Sequence, residues 1–119
     1  MGARELNRMR KICLALPETH EEITWGDHNT FRVGKKIFVI GGPDQLSLKA
    51  DPEEKQALLD SGDEHYYRPA YVDSKGWLGV KLDKTTDWDE IGELVTTSWS
   101  LIAPKRLVKA HPIGGAADA

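Results

Sequence analysis

Apolar residues return at spacings of three and four near the start of the chain: Leu6, Met9, Cys13 and Leu16, with Ile12 beside them. That period predicts an amphipathic helix over 3–16. Pro17 ends it, because the proline ring clashes with the preceding helical turn. Residues 18–22 are polar and read as a connection to a short extended piece over 23–25. Gly26-Asp27-His28-Asn29 reads as a turn. The period then falls to two. Strands are expected over 30–33 and 36–40, separated by the tight hairpin signal Gly34-Lys35. After a second turn, Gly41-Gly42-Pro43-Asp44, the run Leu46-Ser47-Leu48-Lys49 alternates with its leucines inward.

Asp51-Pro52-Glu53-Glu54 carries the marks of a helix start. Asp51 can cap, Pro52 suits the first helical position, and Glu54 stands where a capping box needs it. This helix should be short, ending near Ser61-Gly62. Two more strands are predicted over 66–72 and 76–82. The last helix should begin at Thr86 or Asp87 and run to about Ala103. It carries a stripe of Trp88, Ile91, Val95, Trp99 and Ile102, with Leu94 and Ser98 on its shoulder. Pro104 stops it. Residues 111–119 hold too little apolar surface to bury and are expected to form a disordered tail.

Strands joined by tight turns make an antiparallel sheet, and two long helices with one apolar stripe each should cover one of its faces. The expected fold is therefore α+β: a two-layer sandwich with the other sheet face free. A chain of 119 residues suits one domain, 1–110, with one core.

The sheet face away from the core is where chemistry is expected. In the strand 77–82, Leu78, Val80 and Leu82 take the core face, which turns Trp77 and Lys81 outward. Lys49 falls opposite the core in the same way. Arg32, Lys35 and Lys36 lie on the first hairpin; Arg68 and Lys75 lie on the last. An aromatic beside cations can stack on bases or pair with anions. The same residues also read as solubilising lysines around a tryptophan covered by another part of the fold. A β-bulge at Gly76 or Gly79 would turn Trp77 to the core side.

Charge and composition narrow the classes. Sixteen Lys and Arg against nineteen Asp and Glu give a net charge of −3, so the whole chain does not advertise nucleic-acid binding. There is no apolar run long enough for a membrane span. The first residues are charged and show no signal peptide, and Leu6 breaks the myristoylation pattern that Met1-Gly2 would open. A single cysteine permits no internal disulfide and fits a reducing cytoplasm. Cys13 sits on the apolar stripe of the first helix and reads as core, not as a nucleophile. His20, His28, His65 and His111 show no helical metal-ligand spacing. Gly41-Gly42-Pro43 lacks the ending of a phosphate loop, and no Ser-His-Asp set is recognisable.

The order of short motifs resembles the MmcQ/YjbR family. The pieces are Leu16-Pro17-Glu18, Trp25-Gly26, Phe31-x-Val33-Gly34-Lys35-Lys36 with Phe38, Leu46-Ser47-Leu48-Lys49-Ala50-Asp51-Pro52, Pro69-Ala70-Tyr71, Gly76-Trp77 and Ser98-Trp99-x-Leu101. They span about residues 6–107. Trp99 stands where the family often has Tyr. The resemblance implies a fold similar to frataxin and CyaY, and a DNA-binding label that itself rests on a structural analogy. It brings no catalytic residues. It should not be extended to iron chemistry, because the first helix carries Arg4, Arg8, Arg10 and Lys11 against Glu5.

The expectation is a small cytoplasmic, non-enzymatic binding domain without cofactor or metal. DNA is the leading partner, through Trp77, Lys81, Lys49, Arg68, Lys75, Arg32 and Lys36. The alternative is a module that binds protein or a small ligand on the same aromatic face. A continuous positive face would favour nucleic acid; a concave, aromatic, nearly neutral pocket would favour a small molecule.

Overall fold

The structure is a computed structural model that describes residues 2–26 and 28–111. Its centre is a six-stranded antiparallel sheet. The strands are β1 (Thr19–Thr24), β2 (His28–Val33), β3 (Lys36–Gly41), β4 (Gln45–Lys49), β5 (Tyr66–Tyr67) and β6 (Trp77–Lys81), in the spatial order β1-β2-β3-β4-β6-β5. Helices α1 (Gly2–Leu14) and α3 (Trp88–Ile102) pack on one face. This is the expected α+β sandwich of two layers.

Register explains which side chains enter the core. Phe31, Val39, Leu48 and Leu78 are successive partners across four strands and form one apolar row beneath the helices. Met9, Cys13, Ile91, Leu94, Val95 and Trp99 descend on the sheet and are all 0–1 % exposed. Gly41 lies beneath Met9: a Cβ there would come within 2.9 Å of Met9 Sδ, so a side chain would make the end of Met9 move aside. Burial holds the Cys13 thiol far above its ordinary pKa, which keeps it protonated and agrees with the core reading. No described helix is long and apolar enough to cross a membrane.

Capping follows the sequence closely. Asp51 Oδ2 accepts from the Glu53 and Glu54 amides and starts α2 (Pro52–Asp60). Asp87 Oδ1 does the same for Asp89 and Glu90 at the head of α3.

Three elements differ from expectation. Residues 19–24 form a complete strand, not a polar connection with a short extended end, and β1 pairs with β2 along its whole length. Its polarity reflects its place at the sheet edge, where charged residues suit solvent. The strand predicted over 66–72 stops after Tyr67: Pro69 offers no N–H to a ladder, and Tyr71 has a φ of 68°. After Pro104, a further short helix, α4 (Lys105–Ala110), forms and buries Leu107. Residues 112–119 of the expected tail lie outside the described residues.

Candidate ligand-binding groove

The face of the sheet away from α1 and α3 is floored at its centre by Ile40 and Ser47, which are register partners on β3 and β4. The next partner of Ser47 is Gly79, and Tyr67 pairs with Gly79 in turn. The Tyr67 ring lies across this glycine. A Cβ at 79 would stand only 2.4 Å from Tyr67 Cε2, so only glycine leaves room for the ring. The Tyr67 hydroxyl donates to Gln45 Oε1 at 3.0 Å. Burial, and then the Asp44 charge, push its pKa up, so the phenol stays a neutral donor.

Two loops raise walls over this floor. One is the β1–β2 turn with Trp25 and His28. The other is the segment 69–72, which leaves β5 and folds back across the face. Together they enclose a groove of about 720 Å³, within the range of small-molecule sites. Its lining holds no lysine, arginine, aspartate or glutamate.

The walls share an unusual feature. Trp25 has a φ of 53° and is 63 % exposed; Tyr71 has a φ of 68° and is 96 % exposed. Left-handed backbone at a non-glycine residue carries a penalty of roughly 1–2 kcal/mol. At Tyr71 the Val72 amide donates to the Ala70 carbonyl at 2.8 Å, a γ-turn of the strained, positive-φ kind. Trp25 meets the His28 ring edge to face, with centroids 6.0 Å apart. Neither aromatic gains burial in return for its strain. Strained backbone that presents an exposed side chain is characteristic of binding sites.

The residues singled out from the sequence lie elsewhere. Trp77 and Lys49 are register partners on the open face, as the alternation predicts, and no bulge intervenes between them. Trp77 is nevertheless only 9 % exposed, so its indole cannot take a stacked base. The sheet does bring Lys49, Lys75 and Trp77 together, but the Lys49 ammonium donates to the Lys75 carbonyl and lies over Gly76. Arg68 pairs with Asp73 at 3.4 Å, and Asp73 also takes Lys55 at 2.7 Å. Arg32 bonds Thr24 and stands 3.7 Å from Glu22, toward the β1 edge of the sheet. Lys36 and Lys81 are exposed on separate strands. These cations are spread and partly neutralised, and none lines the groove. Trp25 and Tyr71 were not among the expected site residues. The available signal was the pair Trp25-Gly26, a large aromatic placed in a turn where no core can form.

Among the described residues no group of three His, Cys, Asp or Glu side chains is placed to hold a metal ion. His20 pairs with Glu22 at 2.7 Å. His65 is clamped between two carboxylates, Nδ1 to Asp63 at 2.6 Å and Nε2 to Asp83 at 3.1 Å. The hydrogen bonds to Asp63 and then Asp83 raise its pKa above 6.5. Asp83 is drawn down to about 2, first by the Thr85 hydroxyl and then by His65. The two shifts act at opposite ends of the pH scale. The His65 contribution is complete below its unfolded pKa and is lost as pH rises through the higher folded value. The Asp83 contribution is present above the ordinary carboxylate pKa and is lost only in strong acid. The melting-temperature advantage of the natural protein over His65→Gln should therefore shrink as pH rises from about 6 into the alkaline range. A gap that stays constant over that range would show that His65 is not charged in the fold.

Fold and groove together define a small α+β domain with a mainly apolar, aromatic-rimmed groove on its open sheet face. Among curated proteins no match to the chain is found. The YjbR family model matches residues 14–101, and the chain belongs to that family. Among solved structures, it is similar to protein DR2400 of Deinococcus radiodurans, described as a DUF419 domain. The two share 26 % identity and a TM-score of 0.73, over 93 % of this chain and 83 % of that one.

Proposed function

We propose that the protein is a ligand-binding module that takes a flat, largely uncharged small molecule in the groove between Trp25 and Tyr71. The observation that carries this reading is the pair of exposed aromatics held in left-handed backbone on the two walls. Rigid aromatic walls stack on planar groups without losing much side-chain freedom. Tyr67, Gln45 and Ser47 supply the few polar groups that fix orientation in such sites.

Nucleic acid is the less supported partner for this face. Duplex and single strands need concentrated positive charge, whereas Arg32 and Arg68 are paired with Glu22 and Asp73.

Titration with a set of planar heteroaromatic fragments, followed by amide NMR, tests the proposal. Shifts should concentrate at residues 40–47 and 67–72. Trp25→Ala should weaken the best fragment by about tenfold, the scale of one lost stacking contact, with little change in melting temperature. Tyr71→Gly should weaken binding similarly while relieving strain, so its stability should hold or rise. Fragments that bind nowhere, or that bind Trp25→Ala as tightly as the natural protein, would reject the groove.

A further inference from the structure

A second cavity lies on the helix side of the molecule, away from the groove. It measures about 900 Å³ and is bounded by one face of α1 and by the segment from Asp83 to Trp88. Arg4, Arg8 and Lys11 recur on α1 at spacings that place them on one face, and Lys84 stands across from them. Arg8 lies over the Trp88 ring at 5.1 Å, which holds the guanidinium in place without neutralising it.

The pairing of the arginines sets this cleft apart. The chain has six. Outside the cleft every one has a carboxylate partner: Arg10 with Glu21, Arg32 with Glu22, Arg68 with Asp73 and Arg106 with Glu18. The two inside it, Arg4 and Arg8, form no salt bridge among the described residues, and neither do Lys11 and Lys84. Of the two acids at the cleft, Asp83 is held by Thr85 and His65. Four cations thus line the cleft against two acids, Glu5 and Asp83, on a protein whose net charge is −3.

We infer that this cleft binds phosphate groups, through a fork of Arg4 and Arg8 opposed by Lys84. Guanidinium groups match phosphate oxygens with two parallel hydrogen bonds, and lysine adds a point charge. The phosphate could belong to a free phosphoester or to a nucleic-acid strand, since the same oxygens are presented by both. The inference is independent of the groove, because the groove variants leave these residues untouched.

Two probes separate the sources: inorganic pyrophosphate, and a random single-stranded DNA oligonucleotide, each titrated at low and at physiological salt with amide NMR as the readout. Saturable shifts on α1 and at residues 83–88 are expected with at least one probe, weakening as salt rises. Binding of pyrophosphate assigns a free phosphoester; binding of the oligonucleotide alone assigns a strand. The double variant Arg8→Glu, Lys84→Glu should weaken binding by about tenfold or more, because it removes two charge-assisted contacts. Lys36→Glu, Lys75→Glu makes the same charge change elsewhere and should alter it by no more than about twofold. If the first variant loses its native amide spectrum, Arg4→Gln, Lys84→Gln replaces it. The inference is overturned if neither probe shifts the cleft, or if the distant charge reversal weakens binding as much as the cleft reversal.

Discussion

Trp99→Ala should lower the unfolding free energy by about 3–5 kcal/mol, the range for emptying a large buried aromatic site. Trp99 is 0 % exposed and is the largest fully buried side chain in the protein. It also has a directional role. Its indole N–H donates to the Pro17 carbonyl at 3.1 Å, which ties the turn between α1 and β1 to α3. Two losses therefore combine: a cavity under the sheet and a broken link between the two helical segments. Trp99→Phe separates them. It keeps most of the apolar volume and removes only the indole donor, so its penalty should be nearer to about 1 kcal/mol, plus a smaller packing loss. Urea unfolding of both variants checks the assignment. An unchanged midpoint for Trp99→Ala would mean that the stripe on α3 does not face the core.

What could be read from the sequence, and what could not, divides along the range of the interactions involved. The α3 stripe, the Asp51 cap and the alternation through β4 depend on neighbours a few residues away, and each appears in the structure as read. Trp77 shows where local pattern stops. Its face was legible, since alternation places it beside Lys49. Its burial was not, because alternation along a strand fixes the face of a side chain and not what packs over that face. The groove was hidden for the same reason. Its walls come from a turn near residue 25 and a loop near residue 70, and no periodicity connects them. β1 was missed because an edge strand with charged residues on its exposed positions carries too little apolar alternation to stand out.

Ser98 illustrates the point most sharply. In sequence it is a small polar residue on the shoulder of an apolar stripe, next to Trp99. In the fold it sits between two strands. The β3–β4 ladder runs from Gly41↔Leu46 to Val39↔Leu48, and one step further Phe38 would face Lys49. That step is not made, because β3 is irregular where β2 passes from Phe31 to Arg32, leaving Phe38 out of the pairing on that side. The Ser98 hydroxyl takes over. It donates to the Phe38 carbonyl at 2.6 Å and accepts from the Lys49 amide at 3.0 Å, closing the fork between the strands. Ser98→Ala would leave both backbone groups without partners under α3, where Ser98 is 0 % exposed. Each orphaned group carries a penalty of about 1–3 kcal/mol, so a loss of about 2–4 kcal/mol is expected, far above that of an ordinary helix Ser→Ala change. Ser98→Cys, of similar size but a weaker donor and acceptor, should fall between. Hydrogen exchange gives the local readout: the Lys49 amide should lose its protection in Ser98→Ala before the rest of β4 does. If the urea midpoint holds and the Lys49 amide stays protected, then the strands close directly on each other, and the hydroxyl fills a gap that the sheet does not need.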